Sequence, residues 1–475
     1  VNAADVNRAC RAYNLQMDRR RFLSSLGATS AGFLGLHALL TGCSEQAPDP
    51  RWLTGGFGPL VPDPNGLLDL PPGFRYSVFS REGETMDDGL LVPGAHDGMA
   101  CFMNSDGQAV LVRNHELKPE YVDRGAFGQS NEKLGEVPSE LFYDHGSGEA
   151  PCLGGTSTLV FDTAAQKLVS HRLSLAGTTR NCAGGPTPWG SWVSCEESVD
   201  ARGGPIEQNH GFNFEVPAFA TGLAAPVPLT EMGRFNHEAI AVHPATGIVY
   251  QTEDRGDGLI YRFLPNRPGH LRAGGRLQAL ALADQPSGDT RNWENVVLKQ
   301  GEPVAVRWVD LQNVLAPDDD LREQGFAAGA ARFARGEGIW TSNDGSEIYF
   351  ACTDGGEARV GQVFRYKPSA AEGQAEEEKQ PGTLELFLES PDRRILEYCD
   401  NLTVAPWGDL VLCEDGDGTD HIIGVTPDAQ VYQIGRNAMD DGEFAGACFS
   451  RDWTTLFVNI QNPGMTFAIQ GTWLG

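Results

Sequence analysis

One hairpin layout is written six times along this chain, and that repeat constrains the fold more than anything else. Residues 97–116, 182–197, 238–254, 337–354, 400–415 and 446–461 each hold an alternating strand, a tight turn, a second strand and a polar close. The turns are Ser-Asp-Gly, Pro-Trp-Gly-Ser, Pro-Ala-Thr-Gly, Asn-Asp-Gly, Pro-Trp-Gly-Asp and Ser-Arg-Asp in that order, rich in residues that reverse an extended chain. Gly is abundant, at 58 residues, and no long stretch sustains a helical period, so the chain reads as all-β. A β unit of this size cannot bury both of its faces alone, and copies set around an axis can. The expectation is a six-bladed β-propeller with loop insertions. Spacing between copies is uneven; residues 265–289 and the acidic stretch around Glu376 read as insertions, loop-like by composition.

The N-terminal segment is set apart from this pattern. Arg19, Arg20 and Arg21 precede Phe22-Leu23 and a short run rich in Gly and Ala, which ends in Leu-Thr-Gly-Cys at Cys43. Paired arginines before such a run resemble a twin-arginine export signal. The closing tetrapeptide resembles a lipoprotein cleavage site, which would make Cys43 a lipid anchor. Residues 1–43 are therefore expected to be an export signal, with Met17 as the expected start, and 44–475 a single propeller domain. The expected location is periplasmic or at the cell surface, and the expected partners are the export machinery and a membrane lipid anchor.

Charge narrows the function. Against 64 Asp and Glu stand 36 Lys and Arg, a formal net charge of −28. Such a surface repels nucleic acid and favours divalent cations. Eight cysteines follow Cys43, at 101, 152, 182, 195, 352, 399, 413 and 448. Their spacing gives neither a disulfide framework nor a paired zinc motif. The chain has no phosphate-cradling loop ending in Lys-Ser/Thr and no Gly-x-Ser-x-Gly elbow, which argues against nucleotide hydrolysis by that route and against a serine esterase.

An antiparallel hairpin returns to its origin, so the residue opening each copy lies near the acids closing it. The openers are Asp97, Cys182, Glu238, Glu337 and Asp400 with Asn401. The closers include Glu116, Glu196 with Glu197, Glu253 with Asp254, Asp354, and Glu414 with Asp415. Carboxylates gathered on one rim repel each other unless they are protonated or bind cations. Oxygen ligands suit calcium, magnesium or iron, whereas the Cys182 thiolate suits a softer or redox-active ion. Arg335, two residues before Glu337, projects to the same side of an extended chain and can clamp phosphate or carboxylate. Taken singly, each acid reads equally as a solvated turn residue, and Arg335 as half of a structural ion pair. Asn-His-Glu occurs twice, at 114–116 and 236–238. One copy closes a hairpin and the other opens one, so the match is not a repeated motif, and His237 with His243 lacks the spacing of a helical zinc pair.

Several blocks resemble the PhoX-type alkaline phosphatases: "TTRNCAGGPTPWGSWVSCEES" at 178–198, "GRFNHEA" at 233–239, "RGEGIW" at 335–340, "DNLTVAPWGDLVLCEDG" at 400–416, and 444–469. The resemblance spans Leu68 to the C-terminus. It implies a six-bladed propeller with a central iron and calcium cluster that hydrolyses phosphomonoesters outside the cytoplasm. It places the iron-binding cysteine at Cys182, the carboxylate ligands at Glu196 or Glu197, Glu238, Glu337 and Glu414, and the phosphate-contacting arginine at Arg335. Glu116 and Asp254 join this ligand set on the hairpin geometry, and Arg335 with Glu337 form the expected catalytic pair. The chain is compact, and a lipoprotein cysteine is not general in that family. The alternatives are a phosphodiesterase on the same cluster, or a non-catalytic metal-binding propeller lipoprotein.

Overall fold

The computed structural model describes residues 56–439 and 442–473. The export signal and Cys43 lie outside these residues. Among the described residues, no helix is long and apolar enough to cross a membrane.

The fold is all-β and propeller-like. All six expected hairpins form: His96–Met103 with Ala109–His115, Asn181–Pro186 with Ser191–Glu196, and His237–Val242 with Val249–Glu253. Gly336–Thr341 pairs with Ile348–Cys352, Cys399–Val404 with Leu410–Glu414, and Phe444–Phe449 with Thr455–Ile460. Their first strands touch in cyclic order, and the sixth packs back against the first. The ring is therefore closed.

Outer strands extend each hairpin, but the sheets number five. The third and fourth hairpins share one nine-stranded sheet, because Val304–Asp310 pairs with Gly275–Leu282 on one side and with Thr383–Glu389 on the other. Residues 265–289, expected to be a loop, contain that eight-residue strand Gly275–Leu282. Its alternation is real, but both of its faces are apolar toward the end, which hides the period. The stretch around Glu376 is a short 3-10 turn, Ala375–Lys379.

Period-two alternation sends successive residues to opposite faces, and here both faces are covered. Ala239, Tyr250 and Ile260 pack toward Ile339, Phe350 and Phe364, while Ile240, Val249 and Tyr261 pack the other way against Phe235 and Val193. Two elements close the ring. Arg75–Arg81 pairs with Met465–Gln470 at the outer edge of the last sheet, and Leu68–Asp69 pairs with Arg436 and Asn437. All eight described cysteines are free and buried, consistent with the lack of a disulfide pattern in the sequence.

Candidate metal centre

Every hairpin carries the same irregularity. Its ladder slips just inside the ring, between positions 96 and 99, 181 and 184, 237 and 240, 336 and 339, 399 and 402, and 445 and 448. A β-bulge there re-aims one side chain. The first bulged residue is Asp97, Cys182, Glu238, Glu337 or Asp400 in five copies and Gly446 in the sixth. The next is small in most copies (Gly98, Ala183, Ala239, Gly338 and Ala447), and these residues converge where the six strands meet. A Cβ added at Gly98 would lie 2.5 Å from the Cα of Ala183, so this position floors the site with backbone. Ahead of the bulge the chain turns left-handed at Ala95, Arg180, Arg335 and Tyr398, with φ of 45°, 45°, 52° and 47°.

The result is a continuous belt of ligand-type atoms. Asp97, Glu116 and Cys182 form one group whose atoms lie within 4.8 Å of one another; Cys182, Glu197 and Glu238 form the next. Glu238, Glu337 and Asp400 follow, then Asp400, Asp415 and Glu443. Asp254 borders the belt through Arg335, whose Nε and Nη2 donate to its two carboxylate oxygens at 2.8 and 3.0 Å. Nη2 of Arg335 also lies 2.9 Å from Glu337 Oε1. At the equivalent place in the second hairpin, Arg180 donates from Nε to Glu116 at 2.9 Å and pairs with Glu197. Asn236 Nδ2 donates to Glu197 Oε1 at 3.1 Å, and Gln461 Nε2 donates to Asp97 and Glu116 at 3.0 Å each.

The structure thus brings together Glu116, Cys182, Glu197, Glu238 and Glu337, with Asp254 and Arg335 at their edge. Glu196 and Glu414 are placed elsewhere. Each of these two pairs directly across the ladder from the residue before an opener, Asn181 and Cys399 respectively, so alternation turns it away from the axis. Glu196 accepts hydrogen bonds from His210 Nδ1 at 2.7 Å and from the amides of Thr179, Gly211 and Phe212. Glu414 accepts from His421 and from the amide of Glu397. Glu253 does the same with Tyr261 and the amide of Leu259. The first acid of each pair secures the following segment, and the second faces the belt. Aligning the copies on Glu116, which follows His115, would have shown this register. His237 is buried beside Phe235, with its Nε2 3.0 Å from the Gly233 carbonyl, and His243 contacts Thr246. Neither faces the belt.

Electrostatics set the chemistry. Burial, then neighbouring carboxylates, pushes Asp97, Glu238 and Glu337 well above the usual carboxylate range. Glu197 and Glu443 are raised for the same reasons, and Asp400 is raised to about 7. Burial also raises the Cys182 thiol, with Asp97 adding to it. Both carboxylate oxygens of Glu238 are buried without a hydrogen-bond partner among the described residues. A buried carboxylate left in that state costs several kcal/mol unless it is protonated or bound by a cation. Hard oxygen donors around one thiol are a donor set that fits cations of mixed softness.

A closed β ring lined by a belt of carboxylates defines a propeller-like protein with candidate cation sites. The alkaline phosphatase PhoX family profile matches residues 55–464. The chain belongs to that family, and its activity class is that of a phosphoric monoester hydrolase. Among solved structures it resembles Pseudomonas fluorescens PhoX in complex with vanadate, a transition state analogue, at 18% identity and a TM-score of 0.64 over 86% of this chain and 96% of that one. It also matches the Xanthomonas campestris gluconolactonase XC5397 at 12% identity and a TM-score of 0.39, covering 87% of this chain and 97% of that one. No curated protein sequence matches at significance.

Proposed function

We propose that the chain is a metal-dependent phosphomonoesterase that works outside the cytoplasm, with iron and calcium held by the belt of a six-bladed propeller. The nine-stranded sheet is read as two blades joined at their outer edges by Val304–Asp310, which makes six. Residues 1–43 direct export by the twin-arginine route, and Cys43 carries a lipid. The observation that carries the reading is Glu238, a buried carboxylate without a hydrogen-bond partner among the described residues, inside a ring of like charge, in a chain of the PhoX family.

Cys182 is the thiolate that selects iron, flanked by Asp97, Glu116, Glu197 and Glu238. The all-oxygen groups around Asp400 suit calcium. Bound there, the ions would supply Lewis-acid charge and an activated oxygen at neutral pH. Arg335 does the anchoring: its side chain is 37% exposed, so its guanidinium can reach a substrate phosphate while Asp254 and Glu337 fix its plane. Burial opposes its charge, but Glu337 and Asp254 outweigh that and keep it a cation. A phosphate dianion nearing a protein of formal charge −28 needs that local positive field. The pairing with Asp254 restricts Arg335 before substrate arrives, which lowers the ordering cost of binding.

Elemental analysis and an aryl-phosphate assay on one preparation test the reading. Iron and calcium are expected together with phosphate release, at a higher rate on a monoester than on a diester. Equal or faster diester cleavage would favour the phosphodiesterase reading, and metal without turnover would favour a binding protein. Protein matured through its own export system but free of both metals would sink the proposal.

A further inference from the structure

A second cluster of ligand-type side chains sits behind Glu196, outside the belt. Asp144 and Cys152 come from the loop ahead of Gly154–Asp162 and His210 from the segment ahead of Asn213–Pro217, and all three are buried. His210 Nε2 lies 3.2 Å from Asp144 Oδ2 and 3.7 Å from Cys152 Sγ. All three ligand atoms lie within 4.8 Å of one another. Tetrahedral zinc, with bonds of about 2.0–2.1 Å to nitrogen and oxygen and about 2.3 Å to sulfur, sets edges of about 3.3 Å for N···O and about 3.5 Å for N···S. The two distances match those edges.

The surroundings also have the form of a metal site. His210 Nδ1 lies 2.7 Å from Glu196 Oε1, the outer carboxylate that fixes the orientation of a metal-binding imidazole and leaves Nε2 for the ion. Asp144 is oriented by backbone amides: Gly146 donates to Oδ1, and Glu207 and Gln208 donate to Oδ2. Tyr143 packs edge-on against the His210 ring at 5.4 Å and shields it. None of these groups belongs to the belt, and the thiol is soft enough to discriminate against calcium.

We propose that Asp144, Cys152 and His210 form a separate site for zinc or a similar borderline divalent ion, with Glu196 as its outer carboxylate and water in the fourth position. The ion replaces two protons, one from the Cys152 thiol and one from His210 Nε2, so that a thiolate, a neutral imidazole and a carboxylate hold it. It ties together the segments that precede the strands Gly154–Asp162 and Asn213–Pro217. The site stands apart from the iron and calcium proposed for the belt.

The test is zinc content and zinc-edge X-ray absorption on full-length protein equilibrated with zinc and then dialysed. One zinc per chain is expected, with one sulfur and one imidazole in its shell. Cys152→Ser is expected to lower zinc affinity at least tenfold, while Cys182→Ser retains the ion with its sulfur. No retained zinc, a shell without sulfur, or zinc unaffected by Cys152→Ser would overturn the proposal. If Cys152→Ser fails to fold, Asp144→Asn is read in the same way, and the sulfur signal in Cys182→Ser decides without either variant.

Discussion

At the scale of single residues, Glu238 separates metal binding from folding. Glu238→Gln keeps the shape of the side chain and removes a buried carboxyl group that has no hydrogen-bond partner among the described residues. Phosphatase activity and belt metal content should each fall by at least tenfold, while the metal-free variant melts at the same temperature as the metal-free parent or higher. Lower stability of the metal-free variant would count against an unpartnered carboxyl group at this position. The pH dependence of the stripped protein follows from the same chemistry. Asp400, raised to about 7, and Glu253, also raised to about 7, bind protons in the folded state that the unfolded chain has already released. Folding then takes up protons across the window between the ordinary carboxylate value and about 7, so stability falls as pH rises through it. His210 acts in the same direction: burial lowers its pKa, but Glu196 and Asp144 overcome that and hold it at about 12, so its contribution is complete below its ordinary value and erodes above it. Burial holds His96, His115, His171 and His237 neutral, which opposes this trend below the ordinary histidine value of about 6.5. Above it, metal-free protein should melt at a higher temperature at about pH 6.5 than at about pH 8, and a flat or rising profile there would refute this. Cys182, Glu197, Glu238 and Glu337 could be read from the sequence because each opens or closes a repeat. Glu443 could not, since it precedes the one hairpin whose opener is Gly446. Arg180 could have been found, as it stands two residues before Cys182 as Arg335 stands before Glu337.

Elements carry a different lesson. All six hairpins were legible because turn chemistry and alternation agree in each. The bulges were not, because a slip in register depends on the partner strand. Yet the bulge decides which of two consecutive acids meets the axis, and this is why Glu196 and Glu414 sit elsewhere. A Cβ at Gly338 would lie 2.6 Å from the amide nitrogen of Leu402 and 2.8 Å from the Asp400 carbonyl. Gly338→Ala should destabilise the protein by about 1–3 kcal/mol through overpacking, read as a lower denaturant midpoint, and should disturb Glu337 and Asp400 on either side. An unchanged midpoint would mean that neighbouring hairpins move apart more easily than their packing indicates. Gly275–Leu282 was hidden because both of its faces are apolar toward its end, and Val304–Asp310 because one of its two partners, Thr383–Glu389, comes from distant sequence.

Over the whole molecule, two seams hold what the repeats alone do not. One joins the third and fourth hairpins. Arg262 is buried, with Nη1 donating to Glu372 and Glu377 at 2.6 Å each and its guanidinium stacked 4.5 Å above the Trp308 ring. Arg262→Met would leave Glu372 buried without its cation and should cost about 3–5 kcal/mol. The double change Arg262→Met with Glu372→Gln should recover part of that loss, as a thermodynamic cycle would measure; no recovery would remove the ion pair as the cause. The other seam is the pairing of Arg75–Arg81 with Met465–Gln470. Its two strands lie near opposite ends of the described chain, so no order of synthesis brings them together before the last sheet emerges. Contacts of such long range slow folding and leave edge strands open in the interval. Until the last hairpin emerges, neither Glu443 nor Gln461, which donates to Asp97 and Glu116, is in place, so the proposed cation belt is completed only as translation ends.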